Sequence, residues 1–232
     1  MISLLTPSVK RKARKERRNV PASGKVDWIL GTGQNRTHMV AVSKDLARIF
    51  ASNVSSGTVS ITEKIARPAG GPSPGGARPP MPPDWNETVV AVGRGSEGFD
   101  VTPDEKELWA ANAGDGTSSI VDIAGKKVTQ TLDANVKGAN RLKFTLDGKL
   151  AFVSSLGGAD LAVFDVSSRK EVKRIKLGRG AAGILMQPDG ARVYVAASPD
   201  NYVAVIDLKT MEVVGRVEPG TEPDGLAWAA RP

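Results

Sequence analysis

Residues 182–208 read AGILMQPDGARVYVAASPDNYVAVIDL, and three earlier segments share the same pattern. These segments are HMVAVSKDLARIFASNVSSGTVSITEK at 38–64, EGFDVTPDEKELWAANAGDGTSSIVDI at 97–123 and NRLKFTLDGKLAFVSSLGGADLAVFDV at 140–166. The aspartates of their first turns are Asp45, Asp104, Asp147 and Asp189, separated by 59, 43 and 42 residues. Recurrence at about 42 residues indicates a repeat architecture with an insertion in the first unit.

Each repeat contains four short strands. The first is a compact apolar run that ends in a turn such as PDG, where proline presets φ and aspartate bonds its own backbone. The third alternates between apolar and polar residues, as in YVAVID, which is the period of a half-buried strand. No segment shows a convincing helical period, so the sequence predicts an all-β protein. The second strand carries a large aromatic residue at one fixed place: Phe50, Trp109, Phe152 and Tyr194.

Four antiparallel strands in a unit of this length predict the blade of a β-propeller. A single twisted sheet cannot bury both of its faces, whereas neighbouring blades cover each other. A β-sandwich is the alternative for many short strands, but it does not predict four copies of one register. We therefore expect four complete blades with partial strands at both ends. The segment 24–38 reads as a fourth strand with its exit loop, and 221–232 reads as the first strand of a further blade.

The stretch PDGARVYVAASPDNYVAVIDLKTMEVVGRVEPGTEPDGLAW at 188–228 resembles the YVTN-type β-propeller repeat. LWAANAGDGTSSIVDI and RIFASNVSSGTVSI share its pattern, including the strand-end residues Asn53 and Asn112. The third and fourth repeats depart from it with Ser155 and Ala197. The resemblance covers residues 25–232. It implies a bacterial or archaeal family, commonly periplasmic or extracellular, with seven-bladed rings; fold likeness alone implies little about chemistry.

Seven blades of this size need roughly 294 residues, more than the 232 of this chain. We therefore expect an incomplete ring, a truncated form of a longer propeller. The alternatives are a closed ring of four or five blades, or an arc completed by another copy. An open arc exposes strand edges and blade faces, which predicts self-association.

The positive charge of the chain is concentrated near its beginning. Residues 10–18 carry seven basic side chains against Glu16, whereas residues 19–232 hold 25 basic and 24 acidic side chains. We expect residues 1–24 to form a disordered basic tail ahead of a propeller domain at 25–232. No aromatic residue is interleaved with these charges to stack on bases, which disfavours nucleic acid as a partner.

No export or membrane-spanning signal is recognised in the sequence. The apolar stretch at the start precedes the basic cluster, the reverse order of a secretory signal. No apolar run approaches the ~18–20 residues of a membrane-spanning helix. The chain also lacks cysteine, which is compatible with reducing and oxidising compartments alike.

The long first interval comes from RPAGGPSPGGARPPMPPD at 67–84, which holds seven prolines and four glycines. Proline lacks the donor that a strand ladder needs, so this insertion is predicted to be a loop or polyproline II segment. A docking role for its PPMP motif is the alternative hypothesis.

The start of each innermost strand is the candidate site, because these positions surround one mouth of the axial channel. The five residues at these positions are His38, Glu97, Asn140, Ala182 and Asp224, and all except Ala182 are polar. Arg36 and Arg141 lie beside this mouth and could attract an anion. Such residues bind a small polar ligand or a hard divalent cation such as calcium. The alternative is a hydrated mouth whose polar residues only cap strand ends.

Three functions are compatible with this set of residues. The leading hypothesis is a non-enzymatic module that binds a protein or a small polar ligand without a cofactor. The second is a metal-dependent lactonase or hydrolase, because the resemblance to lactonase-type propellers implies a metal held by Glu97, Asn140 and Asp224. The third is a quinoprotein dehydrogenase-like redox propeller, for which no cofactor-attachment residue is evident. A single histidine and no cysteine exclude Cys/His catalysis and multi-histidine metal sites.

Overall fold

The computed structural model of the chain describes residues 2–4, 28–65 and 84–229. The predicted basic tail, apart from residues 2–4, and the Pro/Gly-rich insertion, apart from Asp84, lie outside these residues. Strands and turns make up the described segments, with one short 3-10 helix at Ser198–Asp200. No helix among them is long and apolar enough to cross a membrane.

Sixteen strands form four antiparallel sheets, and in each sheet the spatial order of the strands follows the chain. The first blade contains β3 to β6: Thr37–Val42, Arg48–Asn53, Thr58–Lys64 and Trp85–Ala91. The second contains β7 to β10: Ser96–Val101, Glu107–Asn112, Thr117–Asp122 and Lys127–Asp133. The third contains β11 to β14: Ala139–Phe144, Leu150–Ser155, Asp160–Asp165 and Lys170–Lys176. The fourth contains β15 to β18: Ala181–Met186, Arg192–Ala197, Tyr202–Asp207 and Glu212–Val217. The predicted all-β architecture of four-stranded blades is confirmed.

The two ends of the domain differ in their strand pairing. Near the beginning, β1 (Ile2–Leu4) and β2 (Trp28–Leu30) form a separate antiparallel pair. Residues 221–232 were predicted to form the first strand of a further blade, but residues 218–229 form none, because no second strand among the described residues pairs with them. They nevertheless run beside β15: a β-carbon added to Gly183 would overlap the carbonyl oxygen of Asp224. This segment therefore lies where the innermost strand of a further blade would be.

The hydrophobic core lies between the blades. The repeated aromatic residues Phe50, Trp109 and Phe152 are at most 1% exposed. Trp109 of the second blade packs edge-on against Phe144 of the third, with ring centroids 5.5 Å apart. The buried clusters likewise combine side chains from successive blades. Each blade is thus stabilised by the apolar face of its neighbour, as predicted for stacked sheets.

Ion pairs at the turns join adjacent blades outside this core. Arg169 of the third blade donates two hydrogen bonds to Glu107 of the second, at 2.8 and 2.5 Å. Glu107 also accepts a bond from Trp109 Nε1 at 3.0 Å, and the Arg169 guanidinium lies 4.9 Å from the Trp109 ring centroid. Between the first two blades, Arg48 Nη2 donates to Glu105 Oε2 at 2.7 Å. The bidentate pair of Arg169 and Glu107 fixes the geometry between the second and third blades.

The first blade has one apolar face that points away from the second blade. Phe50 and Ile61 face the second blade, whereas Val40 and Val42 project from the opposite side and are 44% and 45% exposed. Exposed apolar surface of this kind can support association. Self-association stays a prediction.

Candidate functional site

All four innermost strands carry a β-bulge at the same place. Their pairing with the second strand shifts register across residues 37–40, 96–99, 139–142 and 181–184. In each case three residue steps on the innermost strand face two on its partner, so one residue is extra. A bulge releases a residue from the ladder and redirects its side chain. The predicted mouth residues His38, Glu97, Asn140 and Ala182 all lie on this bulge.

Polar side chains hold the bulges in place. In the first blade, Ser52 Oγ accepts a bond from the Met39 amide at 3.2 Å and donates to the Glu97 carbonyl of the next blade at 2.7 Å. In the third blade, Ser154 Oγ accepts from the Arg141 amide at 3.0 Å. These hydroxyls satisfy bulge backbone groups that the ladder leaves unpaired. These bonds fix the backbone that carries the candidate residues.

The strand-end asparagines stabilise the same end of the blades. Asn112 is fully buried and donates to Thr117 and Ser119, both at 2.9 Å. Asn53 makes the equivalent bonds to Thr58 and Ser60. Each amide thereby joins the end of the second strand to the third. These asparagines are structural supports of the mouth.

The candidate side chains differ in burial and in their partners. His38 is exposed, and no hydrogen bond or ion pair among the described residues joins it to the other candidates. The Glu97 side chain is 17% exposed and lies 3.8 Å from Arg36 Nη2. Asn140 is 3% exposed, but its amide atoms are not among the fully buried, unpaired side-chain atoms of the described residues. Ala182 is buried and contributes no polar group.

Arg141 and Asp224 are brought together across the mouth. Arg141 Nη2 lies 3.7 Å from Asp224 Oδ1, and the two side chains are 17% and 59% exposed. Arg141 Nη1 is buried and has no hydrogen-bond partner. Within residues 28–65 and 84–229, no three His, Asp or Glu side chains form a group suited to a metal ion. The carboxylates of Glu97 and Asp224 are each beside a different arginine.

A second charged pair lies on the same innermost strands. Lys143 Nζ is 3.2 Å from Asp100 Oδ1, and the Phe144 amide donates to Asp100 Oδ2 at 3.0 Å. Burial raises the pKa of Asp100, and this effect outweighs the opposing effects of Lys143 and the Phe144 amide. The pair joins the second and third blades, but keeping the Asp100 carboxylate ionised in this partly buried place lowers the stability of the fold.

Replacing Asp100 with asparagine removes the buried negative charge, and the new amide oxygen can still accept the hydrogen bond from the Phe144 backbone amide. Because the folded-state pKa is raised, the wild type loses stability as pH rises from the ordinary aspartate value towards the folded-state value. We expect Asp100→Asn to gain stability relative to wild type over this window, beginning near pH 4. Urea unfolding of both proteins between pH 3.5 and 7 measures the difference.

Asp165→Asn is the matched control, because the pKa of Asp165 is lowered and the pH dependence of its contribution to stability is the opposite of that of Asp100. The Ser167 hydroxyl, together with the amide and hydroxyl of Ser168, lowers the pKa of Asp165 to about 2. Its contribution to stability is present above the ordinary aspartate pKa and is lost as pH falls towards 2. A pH-independent difference between Asp100→Asn and wild type would contradict the assignment of the raised pKa to burial.

Sequence reasoning did not identify two clamps on the same face. Arg94 bonds Asp115 through its backbone amide and its Nε, both at 2.6 Å. Arg179 repeats this with Asp200 at 2.7 and 2.8 Å. Each clamp ties the loop before an innermost strand to a turn of the same blade. The signal was the repeated Gly-Arg-Gly followed 21 residues later by aspartate.

The chain is similar in sequence to known proteins. The chain is 25% identical over 154 residues to the protein NirF of Stutzerimonas stutzeri, which covers 60% of this chain and 39% of NirF. It is 26% identical over 147 residues to the uncharacterized protein YncE of Salmonella typhimurium, covering 62% and 41%. The chain thus spans about two fifths of the length of these relatives. No family model matches it.

Solved structures resemble it over most of its length. Hydrazine synthase of Kuenenia stuttgartiensis aligns with a TM-score of 0.63 at 22% identity, covering 82% of this chain and 51% of that one. A putative 6-phosphogluconolactonase of Bacteroides uniformis aligns with a TM-score of 0.62 at 16% identity, covering 81% and 55%. At this identity the likeness extends to the fold alone. Membership of the YVTN repeat family stays a prediction, whereas the four sheets and these comparisons together show that the chain has a β-propeller fold.

Proposed function

We propose that this protein is a non-enzymatic binding module whose channel mouth holds a small polar ligand. One observation carries the proposal: Asn140 lies on a bulge at the mouth, is 3% exposed and has a side-chain amide without a hydrogen bond to the described residues. The amide is absent from the buried, unpaired side-chain atoms of the described residues, so its polar atoms still reach the surface and are open to a ligand. A ligand that bonds this amide accounts for its position.

The arrangement of charges supports binding over metal-dependent hydrolysis. The hydrolase hypothesis needs Glu97, Asn140 and Asp224 to converge on one ion. Glu97 lies beside Arg36 and Asp224 lies beside Arg141, at 3.8 and 3.7 Å. A neighbouring guanidinium opposes the binding of a cation at each carboxylate.

An Asn140→Leu variant tests the proposal. Leucine is close to asparagine in shape but cannot form a hydrogen bond. We expect it to weaken binding about tenfold or more, since a lost bond to a buried polar group costs about 1–3 kcal/mol. The melting temperature should stay close to that of wild type, because the amide has no hydrogen bond to the described residues to lose. Ligand-observed NMR with neutral polyols, amines, carboxylates and phosphates measures binding, and thermal unfolding measures stability.

The matched control is Asn86→Leu, because Asn86 is an exposed asparagine on the outermost strand of the first blade. It makes the same chemical change away from the mouth and should bind like wild type. The proposal is contradicted if no class of small molecule binds wild type. Equal binding by Asn140→Leu would also contradict it.

A further inference from the structure

Arg141 combines burial with poor hydrogen bonding. Its side chain is 17% exposed, its Nη1 atom is buried without a hydrogen-bond partner, and its Nη2 atom lies 3.7 Å from Asp224 Oδ1. That separation is beyond a hydrogen bond. A charged group removed from water is costly unless it is both paired and hydrogen-bonded. Arg141 therefore holds donor capacity that the described residues do not use.

Other arginines of the chain show what a satisfied guanidinium looks like here. Within residues 28–65 and 84–229, five of them donate to a carboxylate at 2.8 Å or less: Arg48, Arg94, Arg169, Arg174 and Arg179. Arg36 also has a long ion pair, but its side chain is 60% exposed and water can hydrate it. Arg141 has neither a close carboxylate nor comparable exposure.

Asn140, the residue before Arg141, is a second candidate donor on the same bulge. The two residues are consecutive on the bulge of β11, and the Arg141 amide is fixed by Ser154. Their backbone packs against Gly98 of the second blade, which keeps this part of the bulge in one position. A guanidinium fork and an amide together match the oxygens of a carboxylate or phosphate group.

The nearby negative charges leave room for such an anion. Glu97 is beside Arg36, and Asp100 is bonded to Lys143 and the Phe144 amide. Asp224 is 59% exposed and belongs to a segment without strand pairing, so it can turn into solvent when another oxyanion reaches Arg141. Displacement of a long, exposed ion pair costs little.

We propose that Arg141 and Asn140 form a binding site for the carboxylate or phosphate group of a small anion, which displaces Asp224 from the guanidinium. This inference rests on the proposed binding function and adds the charge of the ligand. Arg141 would supply the charged contact and Asn140 the neutral donor. Asp224 would act as a weak counter-ion while the site is free.

The experiment is a titration of the full chain with malonate and with inorganic phosphate at constant ionic strength. Calorimetry measures the affinity, and thermal unfolding measures the shift in melting temperature. We expect at least one of the two to bind wild type and raise its melting temperature. The anion with the higher affinity shows whether the site prefers a carboxylate or a phosphate group. Arg141→Met keeps the aliphatic stem and should weaken binding at least tenfold, and Asn140→Asp should do the same by charge repulsion. Asp224→Asn should tighten binding, because the competing carboxylate is gone.

Arg94→Gln is the matched control, because it removes one positive charge from the same face outside the site. It should leave the affinity within about twofold of wild type. Equal weakening by Arg94→Gln and Arg141→Met would overturn the proposal in favour of general charge attraction. Binding of neutral or cationic molecules at the mouth without binding of either anion would overturn this inference alone. Absence of any small-molecule binding would overturn it together with the proposed function.

Discussion

Trp109→Ala is expected to lower the free energy of unfolding by about 3–5 kcal/mol, the largest effect of any single truncation in this domain. Trp109 is fully buried between the second and third blades, against Phe144. Its loss leaves a cavity at the interface and removes the ring that lies beside the Arg169 guanidinium. Urea unfolding followed by circular dichroism measures the change.

Trp228→Ala is the control for this truncation. Trp228 is 52% exposed and its ring centroid is 6.2 Å from that of Tyr194, outside the blade interfaces. Its removal should cost less than about 1.5 kcal/mol, the range of an aromatic pair contact. Similar losses in the two variants would show that packing between the second and third blades does not dominate stability.

Gly98→Val is the second large effect, with an expected loss of about 3 kcal/mol or more. A β-carbon at this position would overlap the carbonyl oxygen of Asn140 and would lie 2.7 Å from Arg141 Cα. Both atoms belong to the backbone of the neighbouring innermost strand, which cannot rotate aside as a side chain can. The second and third blades would therefore have to separate at the mouth. Chemical unfolding quantifies the loss, and ligand binding at Asn140 should weaken with it.

Gly183→Val provides a comparison at the same bulge position of the fourth blade. There the overlapping atom is the carbonyl oxygen of Asp224, in a segment without strand pairing. That segment can move away, so the cost should be about 1 kcal/mol, near the lower end for an overpacked site. A loss as large as that of Gly98→Val would mean that residues 218–229 are held as firmly as a blade.

The architecture was predictable because its signals are local and repeated. The aromatic residue of each second strand and the aspartate turn recur 42 or 43 residues apart after the first repeat, and both fall where the structure places them. The third strands were predicted from their alternation to be half-buried, but four or more consecutive residues of each are buried, because both faces of these strands are covered. Thr102 and Thr145 donate to Asp104 and Asp147 at 2.7 Å, so the two turns share one hydrogen-bonding pattern. Repetition made each weak signal reliable.

The site was only partly predictable. Register alignment placed His38, Glu97, Asn140 and Ala182 at equivalent positions, but an alternating pattern cannot show that an innermost strand contains an extra residue. The contact between Arg141 and Asp224 depends on how residues 218–229 lie against the fourth blade. The close approach of the Asn140 backbone to Gly98 depends on the packing of the second blade against the third. These are tertiary properties with no counterpart in the spacing of residues along the chain.

The recurrent bulge has a consequence for how this scaffold can change its specificity. The first residue of the bulge is histidine, glutamate, asparagine or alanine in the four blades, although the ladder on either side is the same. Side-chain identity at these places is therefore uncoupled from the interactions that hold the sheet together. Mutation of the exposed His38 can alter the recognition surface without changing buried packing, whereas Asn140 and Ala182 are buried and tolerate less change. The four bulges thus offer four equivalent positions on one repeated backbone, and the side chain at each can differ from blade to blade.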